Sequence, residues 1–261
     1  MMPAMLNMSI VLLAIGLFVG MVICAEIGYR IGTRRARRNP EGARAGTAVT
    51  EGAIFALLGL MLAFSFSGAA ARLDARRQLV VQEANAIGTA YLRLDLLPAS
   101  EQPALRRLFR QYLDTRLLAY EKIPDIPAVE RELAAAGKLQ NEIWFHAQAA
   151  CRKETSDATP MLVLPALNEM IDITTTRTVA GRTHMPVVIA ALLFTLALLS
   201  AVLVGHAMSG TSKRNLLYLC AYAATVAITV YVILDLEYPR VGLIRVDQAD
   251  QVLRDLRDTI R

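Results

Sequence analysis

Residues 52–71 read GAIFALLGLMLAFSFSGAAA, without one charged side chain. An α-helix needs about 20 apolar residues to cross the roughly 30 Å hydrocarbon core of a bilayer, and this run supplies them. Three other stretches have the same character: about Met8 to Tyr29, about Pro186 to His206 and about Leu216 to Leu234. The first two are joined by an Arg-rich linker holding Arg30, Arg34, Arg35, Arg37, Arg38 and Arg44. The last two are joined by a tight turn, Met208 to Asn215, with Ser209-Gly210 and Lys213-Arg214 inside it. The expected fold is therefore an all-α membrane protein, with four transmembrane helices in two hairpins and a helical extramembrane domain between them.

Composition points the same way. Of 261 residues, 55% are hydrophobic and only 6% aromatic, and the mean hydropathy is +0.40. Ala, Leu, Val and Ile make up most of the apolar mass, as in lipid-facing helices. The net charge of +5 sits on arginines beside apolar spans, where anionic lipid headgroups meet them more simply than nucleic acid does. Met1 to Met8 contains no Lys or Arg and the apolar run continues past Ala25, so a retained helix is expected rather than a cleaved leader. Cys24, Cys151 and Cys220 have no metal or redox spacing and read as small core hydrophobes.

Arg72 to Met185 lacks an alternating strand pattern and reads as helices. The first continues out of the second span to Leu97, where Pro98 ends it. Ser100 is the expected N-cap of the next, with Pro103 in its first turn and an end near Ile123. A third covers about Ala128 to Lys153, and a fourth runs from Thr159-Pro160 into the third span. Asp247 is the expected cap of a short final helix. The expected divisions are 8–71, 72–185, 186–234 and 235–261.

Five constellations stand out. In the second span Gly52, Ala56, Gly59, Ala63, Ser67 and Ala70 share one helical face, flanked by Phe55 and Phe66. Small residues let helices approach closely in lipid; they also set the width of a pore, with Phe rings as an apolar constriction. Gly16 and Gly20 form a small-xxx-small pair, which reads as packing. Glu26 lies one turn from Arg30, an i, i+4 ion pair. Tyr218, Tyr222, Thr225 and Thr229 make a hydroxyl stripe, suited to interhelical hydrogen bonds or to a passing ion. Finally, Arg72, Asp74, Arg76, Arg77, Arg182, Asp235, Glu237, Arg240 and Arg245 gather at the helix ends nearest the central domain, with Glu83 further along the second helix. They form either an ion-pair collar that docks the domain or a charged vestibule, rich enough in Arg to favour anions.

Enzyme signatures are missing: no phosphate loop, dinucleotide fingerprint, nucleophile elbow or metal-spaced histidine pair. His146, His184 and His206 are scattered. The expectation is a non-enzyme without cofactor, metal site or nucleic-acid partner, whose partners are the bilayer and further copies of itself.

Several stretches resemble a bacterial bestrophin-like domain family of unknown function. They are Gly59 to Gly68 (GLMLAFSFSG), Glu83 to Gly88 (EANAIG) continuing to Tyr91-Leu92-Arg93, Asn168 to Asp172 (NEMID) and Asp235 to Asp247 (DLEYPRVGLIRVD). True bestrophins are pentameric anion channels, so the resemblance implies a homo-oligomeric channel of the bacterial inner membrane with a cytoplasmic domain. The arginine cluster implies the opposite orientation, since positive residues of short loops stay inside. Three readings follow. The first is an oligomeric, anion-conducting channel whose second span lines the pore. The second is a non-conducting adaptor or sensor whose domain binds a partner or lipid. The third is a small-solute transporter, which would need a polar midplane site.

Overall fold

The computed structural model describes residues 2–38, 47–123, 125–154, 156–209, 215–239, 243–244 and 247–260. Among them the chain forms eight α-helices and no strand. In order they are α1 (Met2–Arg38), α2 (Thr47–Leu92), α3 (Gln102–Glu121), α4 (Ile126–Cys151), α5 (Ala158–Arg182), α6 (Val187–Met208), α7 (Leu216–Glu237) and α8 (Asp247–Thr259). Four helices are long and apolar enough to cross a membrane, and they carry the four stretches expected to do so.

The chain divides into two compact units. One comprises Ala4–Ala71 and His184–Tyr238; the other comprises Met1–Pro3, Arg72–Thr183 and Pro239–Arg261. α2 is one unbroken helix of 46 residues that supplies chain to both.

In the first unit, α1 and α6 meet through glycines. A Cβ added at Gly28 would collide with the Val202 carbonyl, and one at Gly205 with the Ala25 carbonyl. Only glycine permits so close a backbone approach. Of the pair expected to pack, Gly20 does so, since a Cβ there would lie 3.2 Å from the Leu198 side chain of α6, but Gly16 does not. Gly16 has nothing within 4 Å of its Cβ position and faces an open apolar groove of about 480 Å³ beside Phe194 and Leu198. Glu26 pairs with Arg30 at 2.7 Å, one turn apart, as expected. The hydroxyl stripe of α7 divides. Tyr222 donates to Ser200 Oγ on α6 at 2.6 Å, whereas Thr225 and Thr229 donate back to carbonyls of their own helix. Tyr218 is exposed.

In the second unit, Ile87, Leu94, Phe109, Leu113, Ile143, Leu167 and Met170 form a dry core. α3 earns its place by period: Leu105, Phe109, Tyr112, Leu113, Arg116 and Ala119 are all buried on one side. Proline punctuates as the sequence requires, with small shifts. α2 ends at Leu92 and a 3-10 turn, Arg93–Leu96, carries the chain to Leu97, which is extended ahead of Pro98. The N-cap of α3 is Glu101 rather than Ser100, and its side chain makes no capping bond. Asp125 caps α4 by accepting from the Ala128 N–H at 3.1 Å. α8, whose first residue is Asp247, returns to this core through buried Leu253 and Ile260 and an ion pair from Arg257 to Asp114 at 2.5 Å.

Candidate functional site

α2 carries opposed faces along its length. Leu58, Ser65, Ala69, Leu73, Arg76, Val80, Glu83, Ile87 and Ala90 are buried and recur three, four or seven residues apart. That is one side of an α-helix. On the other side lie Gly52, Ala56, Gly59, Ala63, Phe66 and Ser67, all exposed, and Ala70, half-buried. A Cβ added at Gly52 or at Gly59 would meet nothing within 4 Å. Among the described residues, these two glycines therefore pack against no neighbouring side chain. Beside them runs a second exposed stripe of large side chains, Leu57, Leu60 and Phe64. The two Phe residues expected to flank the small face separate: Phe66 is exposed there, but Phe55 packs edge-on against Tyr222 at 6.2 Å between ring centres.

The described collar residues are engaged within their own compact units as follows. Arg76 turns to the buried side and donates to two main-chain carbonyls at the end of α5, Ala180 at 3.2 Å and Thr183 at 2.7 Å. A cation is favoured there because the last carbonyls of a helix lack partners and carry the negative end of its dipole. Asp74 and Arg77 pair with each other at 3.7 Å on the exposed side. Arg182 lies 3.6 Å from Glu130, both exposed, and Arg72 is half-buried. Asp235 and Glu237 end α7, both buried. Glu237 accepts from the Met185 N–H at 3.3 Å and lies 3.6 Å from His184 Nδ1, whose ring stacks on Tyr238. Arg240 and Arg245 lie outside the described residues.

One charged cluster was not legible as such. Glu83, on the buried side of α2, accepts from Arg116 Nε of α3 at 2.7 Å and from Arg177 of α5. Tyr120 donates to the same carboxylate at 3.1 Å, and both guanidinium groups lie over its ring. Tyr112, Gln140 and Thr174 bond to one another at 3.0 to 3.1 Å in the same unit. Burial, and then the Glu83 charge, push the Tyr120 hydroxyl above the usual phenol range. Burial works against the Arg116 charge, but Tyr120 and Glu83 outweigh it and raise its pKa. Glu83 is fully buried and Arg116 only 1% exposed, so the cluster binds three helices at a point closed to water. The signal was present in the sequence: Arg116 occupies the apolar face of α3.

Among the described residues no group of three or more His, Cys, Asp and Glu could hold a metal ion. The three cysteines are free thiols on α1, α4 and α7.

The bestrophin-like domain is matched over residues 11–251. The chain belongs to the bestrophin-like family. Its fold is that of bacterial bestrophin homologues. One point variant of the homologue from Klebsiella pneumoniae superimposes with a TM-score of 0.68 at 15% identity, covering 93% of this chain and 98% of that one. Another variant of the same protein gives 0.64 at 17% identity, covering 92% and 98%. A structure described as a membrane protein variant gives 0.66 at 16% identity, covering 92% and 97%. No curated protein matches the chain. This bestrophin-like chain is an integral membrane protein, and its matched region includes both the exposed α2 face and the Glu83 cluster.

Proposed function

We propose that this bestrophin-like protein is an oligomeric ion channel, anion-conducting, in which the exposed small-residue face of α2 lines the pore. The observation that carries the reading is the open face itself. Gly52, Ala56, Gly59, Ala63, Ser67 and Ala70 form a smooth strip on the side of α2 away from its buried face. A lipid-facing strip has no need of glycine, and the neighbouring Leu57, Leu60 and Phe64 strip already has the composition for lipid or for a neighbouring subunit. Four spans from one chain leave little room for an aqueous path, so several copies must surround an axis. Phe66, on the edge of the strip, supplies the apolar constriction at which such a pore closes by dewetting. The family resemblance supports the same reading. The seat of action is the bacterial inner membrane.

A second reading keeps the protein as a non-conducting adaptor. Phe145 and Met161, 67% and 76% exposed on α4 and α5, favour it as a surface for a partner.

The experiment is ion flux from liposomes holding the purified full chain. Current that is lost in Ala63→Leu supports the channel. No current across a range of voltage, pH and calcium concentrations overturns it in favour of the adaptor.

A further inference from the structure

The open line of α2 does not stop where its apolar residues stop. Asp74, Arg77, Val81 and Asn85 follow Gly59, Ala63, Ser67 and Ala70 at spacings of three and four residues, and all four are exposed. Along one α-helix such residues share a side. Asp74 is the first charged residue on that line, about 6 Å past Ala70 along the axis, and Arg77 follows at about 10 Å. Their side chains are 66% and 45% exposed and lie 3.7 Å apart.

Arg76, which sequence counting would add to the positive charge at this point, faces the other way. It is 9% exposed and is engaged by the Ala180 and Thr183 carbonyls. The charge offered on the open line is therefore one carboxylate beside one guanidinium, not a run of arginines.

We propose that Asp74 and Arg77 are the charge-selecting residues of the conduction path. Repeated around the axis of an oligomer, they make adjacent rings of opposite sign. The Arg77 ring attracts anions, and the Asp74 ring limits that preference. Charge rings of this kind set the local concentration of permeant ions. The inference rests on the channel reading above and goes beyond it by naming the two residues that discriminate.

The test is the chloride-to-potassium permeability ratio, from reversal potentials of the full-length protein in bilayers under a KCl gradient. Asp74→Asn raises the ratio, by roughly threefold or more, and Arg77→Gln lowers it comparably. Asp74→Glu and Arg77→Lys keep the wild-type ratio, which separates charge from packing. If the wild type conducts and neither neutral variant moves the ratio, the inference fails while the channel reading stands. If the charge-keeping variants shift the ratio as far as the neutral ones, charge selection is overturned. If the wild type passes no current, the channel reading falls and takes the inference with it.

Discussion

The Glu83 carboxylate of α2 and the Arg116 guanidinium of α3 meet at 2.7 Å with neither side chain open to solvent. A buried ion pair is not in itself a large source of stability, because both charges lose their water. Removing one partner is another matter, since the charge left behind has neither water nor counter-ion. Glu83→Gln leaves Arg116 and Arg177 without their carboxylate. The expected loss is about 3–5 kcal/mol. Thermal unfolding of the purified protein in detergent measures it.

Tyr120→Phe removes only a hydroxyl from that cluster and keeps the ring beneath both guanidinium groups. It is expected to cost about 1–2 kcal/mol, less than Glu83→Gln. The same unfolding series ranks the two. Equal losses would show that the ring position, not the charge, holds the three helices.

Gly28→Val and Gly205→Val place side chains against a facing backbone. Each is expected to destabilise the protein by about 1–3 kcal/mol. Gly16→Val, which meets open space, is expected to change little. The comparison reads directly which small residues join α1 to α6.

Phe66→Ala widens the proposed constriction without touching the buried side of α2. Single-channel current is expected to rise, with unchanged thermal stability. Phe55→Ala, which breaks the contact with Tyr222, is expected to lower stability by about 1 kcal/mol or more and to leave the pore width alone.

Membrane spans were legible because lipid tolerates so few alternatives: a charge-free run such as Gly52 to Ala71 can only cross or aggregate. The helix end before Pro98 was legible within a few residues, because the residue ahead of a proline is pushed out of the helical region. Which small residues pack was not legible. Gly16 and Gly28 look alike in a sequence, and only the partner backbone at Val202 tells them apart. Nor did Arg76 and Arg77 differ on paper. One residue of helical rotation sends the first to the end of α5 and leaves the second exposed. The Glu83 cluster needed three helices from distant parts of the chain, so spacing alone could not assemble it.

A density map of the full chain in lipid nanodiscs tests the central claim most directly. The account predicts a ring of several subunits around an axial opening, with Gly52, Gly59, Ala63 and Ser67 of every α2 turned toward it. A monomer, or a ring whose α2 small faces are turned into lipid or packed shut against neighbouring helices, would contradict it.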